Sequence, residues 1–238
     1  MQKEELNKIL EEHKKWLKSE GEEGEQANLS LVNLVGDNLE GVNLREANLY
    51  GVNLLATSLA GANLLEANLR IANLEGVNLW RANLREAKLA GANLLKANIV
   101  GANLSKANLS KANLVGANLS LANIKEANLV GVNLVGAIIV EATLVEANLV
   151  EANLYGVNLY KANLEGVDLS KANLVIANLS RANLYGVNLR EANLVGANLL
   201  GASLLNGAIF KDTKVCKKNF DYLISQGINK DYLVLVEE

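Results

Sequence analysis

The strongest constraint on this chain is a five-residue repeat that runs from Ala27 to Ile209. Taken in steps of five from Leu29, all 37 positions hold Leu, apart from Ile99, Ile124, Ile139 and Ile209. Two residues earlier the chain has Ala or Val, apart from Asp37, Thr57 and Gly207, and the residue between is Asn in 30 of the 37 repeats. No insertion interrupts the register, which predicts one local conformation repeated through most of the chain.

The spacing of the apolar residues fits neither a continuous strand nor a helix. Apolar residues two apart suggest a short extended piece, but a period of five would invert every repeat of a straight strand. On a helix, positions five apart advance by about 500°, so the Leu residues would wind around the whole surface. We therefore predict a chain that turns a corner every five residues and coils into an all-β solenoid, with the Leu and Ala/Val positions inside.

The repeated Ala-Asn-Leu units, of the form A(N/D)LXX, resemble the pentapeptide-repeat proteins, and the resemblance covers about three quarters of the chain. It implies a right-handed quadrilateral β-helix with four pentads per coil and parallel backbone ladders between coils. On that basis the 37 repeats would form about nine coils.

The outward residues give an independent check on four pentads per coil. If one coil takes 20 residues, residues 20 apart share a face, and Glu two residues after the Leu position is concentrated on one face, at Glu46, Glu66, Glu86, Glu126 and Glu146. The other three faces together have Glu there only at Glu141, Glu151 and Glu191. Glycine at this position also favours one face, at Gly36, Gly76, Gly116, Gly136, Gly156 and Gly196.

The segments that flank the repeat predict a cap at each end, because a repeat stack must cover its terminal coils. Residues 2–19 have the apolar spacing of an amphipathic helix, with His13 on its apolar side. After the repeat, Asp212 or Thr213 is predicted to cap a short helix that ends at Gly227. We divide the chain into an N-terminal helical cap (1–26), the β-helix (27–210) and a C-terminal helix-plus-strand cap or association segment (211–238).

The last apolar run predicts a strand that is also a candidate association site. It consists of Tyr232, Leu233, Val234, Leu235 and Val236. An apolar terminal strand can pair with the edge of another sheet, so a homodimer through this segment is one expectation.

Residues for catalysis or for cofactor binding are almost missing from the sequence. The single His13 and the single Cys216 lack the partners that acid–base, nucleophilic or metal chemistry requires, and the glycines do not form a phosphate-binding loop. We expect no enzyme, no cofactor and no metal. The charged start and the lack of a long apolar run predict a cytoplasmic protein that does not enter a membrane.

The resemblance suggests an alternative function, since some pentapeptide-repeat proteins protect or inhibit DNA gyrase, a type II topoisomerase, by imitating the negative charge of duplex DNA. Such mimics use a strongly acidic rod, commonly with Asp at the central position. Here that position is nearly always Asn, and residues 27–210 contain 13 acidic and 13 basic residues. The balance disfavours both DNA mimicry and nucleic-acid binding.

One column of outward residues predicts a partner surface. On the face that has the glycine column, the residue after the Leu position is apolar in eight of nine coils: Val35, Leu55, Leu95, Val115, Val135, Tyr155, Val175 and Val195. Contiguous exposed apolar surface often marks a protein contact, although β-branched residues also favour extended ladders without any partner. The sequence thus favours a non-enzymatic scaffold or protein-binding rod, with a protein partner or self-association through this face.

Overall fold

The computed structural model describes residues 1–203 and 207–236. Its helices and strands are α1 (Lys3–Lys18), β1 (Thr213–Val215), α2 (Lys217–Ser225), a short 3-10 helix (Lys230–Tyr232) and β2 (Leu233–Leu235). Between α1 and β1 the described repeat pairs through single-residue β-bridges, because each extended piece is only about three residues long before the chain turns.

The bridges show that one coil takes 20 residues. They are all parallel and join residues 20 apart, from Asn28 with Asn48 to Asn183 with Ser203. Side chains at the Leu positions and two residues before them fill the interior, as at Leu114 and Ala112, which are 0% and 1% exposed. The predicted four pentads per coil and the predicted interior are therefore present.

A pentad with Asn at its centre can use all five backbone donors, as residues 112–116 illustrate. The N–H groups of its Asn, Leu and Gly donate to carbonyls of neighbouring coils at 3.0, 2.7 and 2.9 Å, and the Ala N–H donates to the preceding Leu carbonyl at 3.0 Å and closes a turn. The fifth N–H, that of Val115, donates to the side-chain Oδ1 of Asn113 at 3.3 Å. The central Asn thus satisfies the one donor that the ladder does not use.

The central Asn side chains also join consecutive coils. Asn63 shows the full pattern: its Nδ2 donates to Asn43 Oδ1 at 3.0 Å, and its Oδ1 accepts from Asn83 Nδ2 at 3.0 Å and from the Leu65 N–H at 3.3 Å. These bonds give a physical reason for the preference for Asn, which the sequence analysis left unexplained.

The corner residue, two after each Leu position, has a positive φ at all 35 corners from Leu31 to Gly201. Fifteen of these corners are glycine, which adopts this conformation without steric cost. Ile71 and Ile176 hold φ of 51° and 52°, a region that branched side chains rarely adopt. Positive φ at the third residue is what a type II turn requires, so the turn geometry dominates over residue preference at these corners.

The prediction of an uninterrupted register is wrong at its last repeat. Ile209 pairs with Asn188, a spacing of 21, and takes the outward central position with 41% of its surface exposed. Phe210, 1% exposed, fills the interior in its place. The extra residue falls between Ser203 and Ile209, and the predicted repeat position at Leu204 lies outside the described residues.

The predicted cap of the C-terminal helix is also wrong. Thr213 lies in β1, where its Oγ1 donates to the Leu189 carbonyl at 2.8 Å, and α2 begins at Lys217 with Cys216 before it. The reason is that the backbone ladder continues past the repeat, as the bridge between Lys214 and Asn193 shows. Helix α2 therefore begins only after β1 has added one more strand to the ladder.

Helix α1 packs on the first coil and lies within the predicted range of 2–19. His13 is fully buried, stacks on Trp16 with ring centroids 5.7 Å apart, and its Nδ1 accepts the Ala27 N–H at 3.1 Å. Burial lowers the pKa of His13 from 6.5, although the Arg45 backbone and the Glu46 charge act in the opposite direction. The packing role predicted for His13 thus includes a hydrogen bond between helix and coil.

Replacement of Asn63 tests the role of the central Asn. We expect Asn63→Ala to lower the free energy of unfolding by about 1–3 kcal/mol, because three hydrogen bonds are lost. Asn63→Asp keeps both acceptor bonds but turns the donation to Asn43 into a contact between two oxygen atoms, so its effect should be smaller than that of alanine but not zero. Urea denaturation followed by circular dichroism gives the comparison. Equal stability of the alanine variant and the unmodified chain would show that the asparagine column is dispensable.

Protonation of His13 should weaken the attachment of α1. A buried histidine with a lowered pKa contributes its full stability above about pH 6.5 and loses it as the pH falls from there toward the folded-state pKa. We expect the melting temperature to fall between about pH 7 and pH 5, and to fall less for His13→Gln, which does not titrate. Parallel pH profiles of the two proteins would contradict this assignment.

Candidate interaction surfaces

The predicted apolar column lies on the outer surface of one side of the coil. We call this side the apolar face; it consists of the pentads whose interior residues are Leu34 and every twentieth residue after it. Val35 and Tyr155 are 46% and 44% exposed, and the other six predicted residues, Leu55, Leu95, Val115, Val135, Val175 and Val195, are half-buried. The column points outward, but the half-burial of six of its eight members reduces the apolar area that is open to a partner.

Charge is distributed very unevenly around the coil. The apolar face contains two charged residues, Glu75 and Lys96, whereas the faces that begin with Leu29, Leu39 and Leu44 contain eight, six and ten. The face with ten lies opposite the apolar face, since the four pentads of a coil follow one another in order around it. The structure therefore has one nearly uncharged side and a highly charged side behind it.

The glycine corner beside the apolar column is open. At Gly36, Gly76 and Gly136 no other atom lies within 4 Å of the place where a Cβ would stand, so the positive φ and not crowding favours glycine there. Ile176, 52% exposed, is a large apolar side chain on the same corner. Six of the nine corner residues along this edge are glycine, so another surface could approach the backbone closely there.

A smaller apolar patch, not predicted from the sequence, lies on the neighbouring face. Leu31 and Ile71 are 74% and 53% exposed and lie against Gly51 between them, beside Tyr50. The signal was present in the sequence, because these large apolar residues occupy corner positions that elsewhere on the same face hold glycine or charged residues.

The predicted association strand continues the ladder at the C-terminal end. β2 covers Leu233–Leu235 and pairs in parallel with β1, and β1 in turn bridges to the last coil through Lys214. Of the other predicted members, Tyr232 belongs to the 3-10 helix, and Val236 lies just after β2 and donates its N–H to Val215.

Within the described residues, the opposite edge of β2 pairs with no strand. Leu233 is buried, but Tyr232, Val234 and Leu235 are 50%, 41% and 45% exposed. The end of the rod therefore presents an apolar strand with a free edge.

The column of glutamates has basic partners close by. Arg45 and Arg85 pair with Glu46 and Glu86 at 2.8 and 2.7 Å. Glu126 is contacted by Lys125 at 3.3 Å and by Lys106 at 3.6 Å, and the Lys125 hydrogen bond is the main cause that lowers the pKa of Glu126. The compensation of charge within the face argues against a continuous acidic stripe.

Catalytic or metal-binding clusters are not found in the described part of the chain. No group of three or more His, Cys, Asp or Glu side chains there is placed to hold a metal ion. Cys216 is buried and unpaired, just before α2. None of the described helices has both the length and the apolar character needed to cross a bilayer.

Comparison with known proteins identifies the repeat. The family model described as pentapeptide repeats matches in eight copies, which together span residues 27–214. No curated protein matches the chain.

Three solved structures illustrate the similarity. HetL, a pentapeptide-repeat protein involved in regulation of heterocyst differentiation in the cyanobacterium Nostoc, is 37% identical over 79% of this chain and 89% of its own (TM-score 0.36). QnrB1, a plasmid-mediated fluoroquinolone resistance protein, is 19% identical over 85% of this chain and 98% of its own (TM-score 0.57). At this identity the likeness supports the fold alone. Rfr23, a pentapeptide-repeat protein from the cyanobacterium Cyanothece, is 33% identical over 59% of this chain and 86% of its own (TM-score 0.27). The chain belongs to the pentapeptide-repeat family, whose members form right-handed quadrilateral β-helices.

Proposed function

We propose that this protein is a non-enzymatic, rigid protein-binding rod that binds through its apolar face. The observation that supports this proposal is the near absence of charge from one side of the coil, where two charged residues occur in nine pentads. Desolvating a surface of this kind on binding costs less than desolvating the charged sides. The open glycine corner lets a partner approach closely along the same side.

The hydrogen bonding supports a rigid surface. Every N–H of the pentad 112–116 donates to a partner, and the central asparagines tie successive coils together. A surface that is ordered before binding loses little conformational entropy when a partner binds. We therefore expect the apolar face to act as a preformed platform.

The alternative, a DNA mimic that binds a type II topoisomerase such as gyrase, has less support. The central residues of the pentads are mostly neutral Asn, and the 13 acidic residues of 27–210 are matched by 13 basic ones. Several of these pair directly, as Lys161 does with Glu141 at 3.0 Å. A mimic of duplex DNA needs continuous negative potential, which ion pairs of this kind interrupt.

A second proposed contact is a homodimer through β2. Its free edge offers unpaired backbone groups, and the exposed Val234 and Leu235 add apolar area beside them. Strands with such edges pair readily with other strands. This contact would place two rods end to end and leave the apolar face of each free for a different partner.

The pair of substitutions Val115→Lys and Val135→Lys tests the apolar face. Both side chains are half-buried and outward, so folding should be retained, with a loss of stability of about 1 kcal/mol or less per site. We expect the variant to lose proteins that the unmodified chain captures from an extract of its own organism, as identified by mass spectrometry. The matched control is Val130→Lys with Val150→Lys, at equivalent half-buried positions on the neighbouring face. Identical captured proteins for all three chains would contradict the proposal.

Leu235→Lys tests the β2 contact more cleanly than deletion of the tail, because Val215 and Leu223 are fully buried and their removal would expose the last coil. Leu235 is 45% exposed, so a lysine there should leave the fold intact and place like charges together in a β2-mediated dimer. We expect a lower mass by light scattering than for the unmodified chain. An unchanged mass would exclude association through this strand.

A further inference from the structure

Glu75 and Lys96, the two charged residues of the apolar face, have opposite signs and stand in neighbouring coils. Glu75 lies in the apolar column, and Lys96 lies on the adjoining corner one coil further along. Among the described residues neither forms an ion pair, and Glu75 accepts only a long hydrogen bond, 3.4 Å, from Asn93 Nδ2. Two opposite charges thus stand near each other on an otherwise uncharged surface and form no direct ion pair in the described structure.

We propose that the apolar face pairs with the apolar face of a second copy of this chain, with the two rods antiparallel. The inference rests on the proposed function, in that it takes the apolar face as the binding surface and names its partner. A two-fold axis would cross the rod between the coil of Glu75 and the coil of Lys96. Each Glu75 then lies level with Lys96 of the second copy and one column to its side, so the same contact is made twice.

The positions of the charges select the antiparallel arrangement. If the rods were parallel and in register, Glu75 would lie level with Glu75 of the second copy and Lys96 level with Lys96, which brings like charges together. An axis across the rod reverses the order of the coils and keeps each column opposite the same column. It therefore brings Glu75 and Lys96 of the two copies to the same level, and it keeps apolar residues of the column against apolar residues except where Glu75 meets Leu95.

The side chains along the face are compatible with this pairing. The axis brings Val35 opposite Val135 of the second copy and Leu55 opposite Val115. The corner of Gly76, which is open, receives Lys96 of the second copy. Six coils overlap, a contact about 29 Å long at ~4.8 Å per coil. A contact of this length that is only one pentad wide is small beside the roughly 1,600 Å² of a standard interface, so the dimer should dissociate on dilution.

Charge reversal tests the pairing. By sedimentation equilibrium, the unmodified chain should approach twice its 25.5 kDa mass as concentration rises. Glu75→Lys and Lys96→Glu should each raise the dissociation constant roughly 10- to 100-fold, because each creates two like-charge contacts. The double reversal should restore an affinity close to that of the unmodified chain. Glu66→Lys, a reversal of an exposed charge on the opposite face, is the matched control and should leave the dissociation constant unchanged.

Several results would overturn the inference. These are a monomer at every concentration, single reversals that bind as well as the unmodified chain, or a double reversal no better than the singles. Dissociation by Leu235→Lys together with no effect of Glu75→Lys would place the dimer at β2 instead. A monomeric rod whose captured proteins are lost on Val115→Lys with Val135→Lys would refute self-pairing and leave the proposed function standing. If the substitutions on the apolar face changed neither the dissociation constant nor the set of captured proteins, both the self-pairing and the proposed function would be refuted.

Discussion

Every pentad of the rod must accommodate one backbone donor that the ladder does not use. Four of the five N–H groups of a pentad bond to the backbone of the same or a neighbouring coil, and the fifth, just after the Leu position, bonds to the central Asn Oδ1. A chain that turns a corner every five residues cannot offer this donor a carbonyl at every step. In most pentads the central side chain supplies the acceptor, which is why a single residue type recurs so often at this place.

The choice of acceptor also sets the charge of the surface. Aspartate can accept the same bond, as Asp168 does from the Ser170 N–H at 2.9 Å, and it accepts from Asn188 Nδ2 in the next coil. A carboxylate cannot donate in return, so a column of Asp would lose the bonds between coils and gather negative charge. An asparagine column keeps both bonds and leaves the rod neutral, and this favours a binding surface governed by apolar contact over one governed by charge.

Much of this structure could be predicted from sequence, because the period of five fixes which side chains face inward. The register identified the interior, the coil length and the outward apolar column. The prediction of the register failed at Ile209, because an isoleucine at a Leu position looks like one more repeat. The bridge of Ile209 to Asn188 and the burial of Phe210 show that the chain has shifted by one residue there. The prediction also missed the continuation of the ladder through Thr213, since a capping residue and a strand residue look alike there. Half-burial of the apolar column depends on contacts between coils, which a pattern along one chain does not contain.

The unequal distribution of charge follows from the same geometry. Inward positions are fixed by packing and the central position by hydrogen bonding, so only two residues of each pentad are free to vary with little effect on the fold. Those two positions contain nearly all the charges of the repeat, with Lys88 and Asp168 among the few exceptions. A face that leaves all but two of these positions apolar or glycine over nine coils has therefore omitted charge where the fold would tolerate it. Because the opposite face contains ten charged residues, the composition of the apolar face is not a property of pentads in general, and contact with another surface supplies a physical reason for it.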